Sequence, residues 1–332
     1  MTASAQRNPV LDQAKGIAII RVVTGHLMSG ETGLEKWIYS FHLPLFLVVN
    51  GCLQFLRPSR QTVGQYAWKE TKVLLYPFVV FSLLKSVINF FVESDPEEFI
   101  DPISRLFLFS GDGALWYLPA FFLSALLFFV LHRSGLLKLE GLLCLTTLLC
   151  SGVIATNDPY QPDSLMFYVN LINRTLVLCV FTGIGWWLEQ RKILSSPLAR
   201  TGWLLIAAGL VLGMMNSQPD IHYSRLGNPI LFYGSATATC TGILMVLKTL
   251  NLKMKWLCWL GRNSLLIYLT HTTFHYTGIA RSIMEMWTTQ SWVITAGAVI
   301  LVMLAEIPTV RLLQGPLRML VQYPFQRKKA NS

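Results

Sequence analysis

Ten apolar stretches recur along the 332-residue sequence, at about 13–29, 37–56, 73–92, 115–132, 136–155, 168–188, 200–216, 228–248, 258–277 and 290–309. Each is close to the roughly 20 residues that an α-helix needs to cross a bilayer. The hydrocarbon core offers no water to hydrogen-bond the backbone, so runs of this length must close their own hydrogen bonds as helices. The expected fold is an all-α polytopic membrane helix bundle of about ten transmembrane helices. Composition agrees, because 53% hydrophobic and 13% charged residues leave too little polar surface to cover a water-soluble domain.

Basic residues orient the bundle. With the N-terminus in the cytoplasm, 20 of the 27 Lys and Arg residues fall on the inner side and five on the outer side, the asymmetry of the positive-inside rule. Both termini are therefore expected to be cytoplasmic. The net charge of +10 follows from this topology and calls for no nucleic-acid partner. No repeat or linker divides the chain, which reads as a single domain, 1–332, with a short basic cytoplasmic tail at 311–332. The first helix carries Arg21 and no small-residue cleavage site follows it, so it is expected to stay in the mature protein. The outer connection between the third and fourth segments, about twenty residues with Pro96 and Pro102, is expected to be a solvated loop or a lid. The six cysteines form no CxxC pair and read as small apolar residues.

The chemistry-bearing residues are those that interrupt apolar runs. Near the bilayer midplane an ionisable side chain costs roughly 2.5 kcal/mol or more and needs a protein partner or a wet cavity. In the first segment, at about 100° per residue, Asp12, Lys15 and His26 share one stripe, while Arg21 points away from it. The second segment opens SFHLPLF, with His42 two residues before a helix-bending Pro44 near the outer face. The fourth begins GALWYLP, where Trp116 and Tyr117 are either members of an interfacial aromatic belt or a platform for a sugar ring or acyl chain.

The ninth segment reads WLGRNSLLIYLTHTTFHY. Ser264, Tyr268, His271 and His275 fall on one helical stripe, with Arg262 and Asn263 at its cytoplasmic start. Arg262 beside a helix N-terminus is suited to an anion such as phosphate. His271 and His275 have the i, i+4 spacing of a zinc pair, but no acid or cysteine is placed to complete the set, so no metal is expected. The sequence has no GxSxG elbow, P-loop or GxGxxG fingerprint. What remains is a buried histidine with a carboxylate and cations along one helix, a set suited to proton abstraction from a hydroxyl beside an anionic donor.

These motifs resemble the acyltransferase-3 family of integral membrane acyltransferases, particularly its fucose 4-O-acetylase-like branch. The resemblance rests on Asp12-x-x-Lys15-Gly16, Gly25-His26, the FHLPLF…NG start of the second segment, LWYLP in the fourth and GRNSLLIYLTH in the ninth, in order across residues 12–271. It implies transfer of an acyl group, usually acetyl from cytoplasmic acetyl-CoA, to a hydroxyl of a cell-surface or lipid-linked glycan, by a multi-pass protein of a bacterial inner membrane. By this analogy His26 is the essential histidine, as general base or acyl relay, with Asp12 grouped beside it as catalytic. Lys15 stands where many relatives carry arginine and, with Arg262, Asn263 and Ser264, would face the acyl donor. Arg57 and Arg60 approximate the arginine pair that many members carry after the second helix and join that group. His42, Trp116, Tyr117, Tyr268 and His271 would line the acceptor side. Acetyl-CoA is then a co-substrate, no bound cofactor is expected, and separate glycan-assembly proteins are possible partners. Two other classes compete: a transporter or flippase for a glycan intermediate, and a membrane assembly partner with no turnover.

Overall fold

The computed structural model describes residues 7–28, 32–93, 96–136, 138–149, 165–195, 198–252 and 254–323. Regular structure among them is helical: α1 (Pro9–Leu27), α2 (Gly33–Leu56), α3 (Val63–Glu70), α4 (Tyr76–Glu93), α5 (Pro96–Phe107), α6 (Tyr117–Arg133), α7 (Leu139–Leu148), α8 (Leu165–Gln190), α9 (Ala199–Met215), α10 (Pro229–Leu250), α11 (Lys255–Arg262), α12 (Ser264–Thr273), α13 (Tyr276–Glu285) and α14 (Ser291–Gln314). A π-helical turn, Thr71–Leu75, joins α3 to α4, and a 3-10 turn, Gly113–Trp116, leads into α6. The described residues contain no strand, only an isolated bridge between Asp220 and Arg225.

Six stretches among the described residues are long and apolar enough to cross a bilayer: Gly33–Leu56, Val63–Val92, Gly113–Arg133, Leu165–Gln190, Pro229–Leu250 and Ser291–Gln314. Large apolar side chains stand exposed on them, among them Ile172 on α8 and Ile300 and Leu304 on α14, a surface that only lipid or another apolar partner covers favourably. The chain is a multi-pass membrane protein. The other expected segments have different counterparts. Segment 13–29 is α1, which carries three charges; 200–216 is α9, of 17 residues. Segment 136–155 begins as α7 and runs beyond the described residues.

Two expectations about local structure are corrected. The ninth segment is not one helix: it breaks at Asn263, which caps α11, and again at His275, whose φ of 54° places it in the left-handed region. The connection after α4 is not an open loop, because α5 occupies Pro96–Phe107. Pro96 stands at the first helical position, where its missing N–H would lack an intrahelical partner in any residue.

The chain divides into two compact units that interleave along the sequence. The first takes Met1–Ser59, Lys138–Asn157 and Val177–Ser264; the second takes Arg60–Leu137, Asp158–Leu176 and Leu265–Ser332. In the first, α1 starts on an Asn8 cap whose side chain accepts from the Val10 and Leu11 amides. It then crosses α11 at two glycines. A Cβ at position 261 would overlap the Asp12 carbonyl oxygen and stand 2.7 Å from its carbon and 2.9 Å from Gly16 N. A Cβ at position 16 would stand 2.8 Å from Leu257 Cδ1. Small residues are what let membrane helices approach this closely. Gly51 on α2 and Gly185 on α8 make a second such crossing, with a Cβ at 51 only 2.7 Å from Trp186 N.

In the second unit Phe78, Phe81 and Phe128 are buried, and Tyr66 on α3 stacks on Phe129 of α6 with centroids 4.2 Å apart. Tyr276 and Thr309 share a 2.8 Å hydrogen bond that ties α13 to α14. Four described cysteines, Cys52, Cys179, Cys240 and Cys258, are free and buried. The tail after Tyr323 and the side chains of Cys144 and Cys150 lie outside the described residues.

Candidate functional site

The close crossing of α1 and α11 brings together three residues that lie far apart in sequence. The Asp12 carboxylate receives Lys15 Nζ at 3.1 Å on one oxygen and Arg262 Nε at 3.1 Å on the other. Asp12 is buried, while the side chains of Lys15 and Arg262 are 25% and 46% exposed. One acid between two cations leaves a net positive charge that the surroundings can reach. Beside it, Gln13 donates to the Leu252 carbonyl at 2.6 Å, fixing α1 against the start of the α11 region. Asn263 is buried and donates back to Trp259 O, and Ser264 is buried as the next helix begins. Arg57 and Arg60 are exposed in the connection after α2.

His26 stands at the opposite end of α1. The 14 residue steps from Asp12 to His26 span about 21 Å of helix, so the two share a stripe without forming a dyad. His26 is also exposed, not buried as the apolar run implied, because it falls in the last turn of the helix. The negative end of the α1 dipole lies there.

Around His26 the first unit places the expected His42 together with Tyr39, Glu35 and Asp220, which the sequence does not single out. Tyr39 Oη donates to Gly25 O at 3.2 Å, and its ring meets His42 edge-on with centroids 5.1 Å apart. His42 is buried within α2 and an electrostatic neighbour of His26. Its Nδ1 lies 2.7 Å from Ile38 O; a carbonyl only accepts, so Nδ1 carries the proton and Nε2 is left as the acceptor in the neutral ring. Glu35 and Asp220 bear electrostatically on Tyr39. Asp220 belongs to the loop after α9, where burial pushes its carboxyl above the usual carboxylate range, opposed by the backbone N–H groups of His222 and Tyr223 and by Arg225.

The second unit holds the aromatic residues. Trp116 and Tyr117 are buried, so neither is an interfacial belt residue, and the Arg174 guanidinium lies over one face of the Trp116 ring, 5.3 Å from the centroid. Tyr268 donates to the Ala114 carbonyl and packs between Tyr117 and His271, at 5.5 and 5.7 Å between centroids. His271 is buried, with Nδ1 at 2.9 Å from Ile267 O. His275 leaves this stripe because the helix has ended, and its Nε2 lies 3.3 Å from Asn89 Oδ1. Helical spacing therefore does not pair the two histidines, and no cluster of three or more His, Cys, Asp or Glu fit for a metal occurs among the described residues.

Three further polar groups of this unit went unmarked in the sequence. Lys85 Nζ meets Asp112 at 2.5 Å, with Arg105 at 3.5 Å on the other oxygen. Glu306, inside α14, is fully buried and accepts from Thr270 at 2.7 and 2.8 Å. Arg174 is a buried residue within α8. The signal for the last two was an ionisable residue inside an apolar run, which by itself marks a site worth explaining.

A family model described as an acyltransferase domain, that of acyltransferase-3, matches residues 8–310. The chain belongs to the acyltransferase-3 family. Among curated proteins it is similar to nodulation protein NolL of Mesorhizobium japonicum, with 32% identity over 147 residues. The aligned stretch is 40% of this chain and 38% of NolL, so the chain spans well under half the length of that relative. No solved structure matches it. The acyltransferase-3 match crosses both units and takes in every candidate residue named above.

Proposed function

We propose that this acyltransferase-3 protein moves acetyl from cytoplasmic acetyl-CoA to a hydroxyl of a cell-surface or lipid-linked glycan, in a bacterial inner membrane that it crosses about ten times with both termini inside. The observation that carries the reading is the polarity of α1. A net-positive cluster, Lys15 and Arg262 on Asp12, stands at one end and an exposed histidine about 21 Å of helix away at the other. A donor with anionic phosphates at one end of a long arm and a thioester at the other fits that separation.

In the reaction His26 takes the proton of the acceptor hydroxyl as its oxygen attacks the thioester carbonyl carbon. The carbon–sulfur bond breaks, CoA leaves as the thiolate, and the imidazolium returns the proton to sulfur. The partial negative charge at the end of α1 steadies the imidazolium meanwhile. Asp12 acts at the donor end, holding Lys15 and Arg262 for the phosphates; Arg57, Arg60, Asn263 and Ser264 are further donor-side contacts. His42 serves the acceptor in the first unit, and Trp116, Tyr117, Tyr268 and His271 are the acceptor candidates of the second.

The test is transfer of radiolabelled acetyl from acetyl-CoA into an alkali-labile glycan fraction, in membranes with and without the protein. Label that depends on the protein supports acyl transfer. No label, with the protein inserted and host glycan present, favours the glycan transporter instead.

A further inference from the structure

In the second unit three cations gather on one turn of backbone. Phe109, Gly111 and Gly113 all have positive φ, at 55°, 64° and 53°, and this tight path turns the Phe109 carbonyl to accept from Arg174 Nη2 at 3.1 Å. The same turn presents Asp112, which Lys85 and Arg105 already occupy at 2.5 and 3.5 Å. Arg174 therefore has no acid among the described residues. It is 2% exposed, its Nε is buried with no hydrogen-bond partner, and its guanidinium carbon lies over the Trp116 ring, 5.3 Å from the centroid. Asn170 and Asn173, buried on the same helix, flank it.

A guanidinium offers five N–H donors in a rigid fork that matches the two oxygens of a carboxylate or phosphate. Burial among apolar helices makes an uncompensated charge costly, and a bidentate oxyanion is the partner that satisfies both the charge and the unspent donors. The Trp116 ring beneath the guanidinium adds a cation–π contact, which supplies no hydrogen-bond acceptor for its N–H groups.

We propose that Arg174 is the recognition site for an oxyanion on the acceptor: a uronate-type carboxylate of the glycan or a phosphate of its lipid carrier. This rests on the glycan-acyltransferase reading and adds that the acceptor is acidic. Arg174 positions the acceptor and takes no part in bond breaking.

The test is thermal unfolding of the purified full-length protein in detergent, followed by a thiol-reactive dye on the buried cysteines. The probes are D-glucuronate, dodecyl phosphate, and D-glucose as the neutral control. Wild type is expected to be stabilised saturably by one of the two anions and not by glucose; whichever anion binds tells sugar carboxylate from lipid phosphate. Arg174→Gln is expected to weaken that binding at least tenfold. Where Arg174→Gln is not monodisperse, Arg174→Lys decides, since it keeps the charge without the fork: several-fold weaker binding is expected. Equal binding by wild type and variant, or no binding of either anion by wild type, overturns the proposal. Binding is read without turnover, so the outcomes separate. No anion binding by wild type with its glycan labelling intact removes the inference alone, whereas Arg174-dependent anion binding without glycan labelling keeps the oxyanion site and removes the glycan-acetyltransferase reading.

Discussion

Replacing Gly261 by alanine tests how the donor end is built. The added methyl would overlap the Asp12 carbonyl and stand 2.7 Å from its carbon, where ordinary contact begins at 3.4 Å. Both obstacles are backbone, so the methyl cannot be relieved by a rotamer, and α1 and α11 must part by about 1 Å. Overpacking of this kind costs about 1–3 kcal/mol. At roughly 2–4 °C per kcal/mol for chains of some 150–250 residues, unfolding should fall by several degrees. The same movement carries the 3.1 Å contact of Arg262 with Asp12 to the edge of ion-pair range, near 4 Å, so the KM for acetyl-CoA should rise as well. Gly278, which has nothing within 4 Å of an added Cβ, supplies the opposite sign. There an alanine improves helix propensity and should stabilise by about 0.4–1 kcal/mol. Thermal unfolding of the two purified variants, with initial rates against acetyl-CoA concentration, is the assay. Equal melting temperatures for Gly261→Ala and wild type would refute the close crossing on which the donor end depends.

Arg262→Ala should raise the acetyl-CoA KM by about 10–100-fold, the worth of a charged hydrogen bond at roughly 1.5–3 kcal/mol, with kcat nearly unchanged; a fall in kcat at constant KM contradicts a donor-binding role. Asp220 gives a pH prediction. Its carboxyl sits above the usual range through burial, so the folded protein holds that proton more tightly than the unfolded chain. The contribution is full at low pH and is lost as pH rises through the folded value. Asp220→Asn should flatten melting temperature against pH above about pH 4, the ordinary carboxylate value, and an unchanged slope there would remove the assignment.

How far the sequence carried the account depends on which interactions are local. The apolar runs identified all six long spans, because burial in lipid is written in composition over about 20 residues. The helix α5 was hidden by Pro96 and Pro102, read as loop residues although proline at the first helical position favours a helix start. The break at His275 was hidden because a left-handed residue other than glycine leaves little trace in sequence. Helical spacing placed Asp12 and Lys15 together, but their union with Arg262 spans 250 residues and depends on two glycines whose role appears only when helices touch. His26 was read as buried because its neighbours are apolar, whereas its position in the last turn of α1 exposes it. Arg174 and Glu306 are visible in the sequence as charges inside apolar runs, but which groups surround them depends on contacts between distant helices.

The central claim is that His26 moves the acceptor proton. It is tested most directly by the rate of acetyl transfer from acetyl-CoA to the host glycan by purified wild type and His26→Ala at matched, monodisperse concentrations. General acid–base catalysis contributes about 10²–10⁴-fold, so the variant should lose at least a hundredfold in kcat while its melting temperature stays close to that of wild type, since an exposed ring packs little. A variant that transfers acetyl within tenfold of wild type would contradict the account.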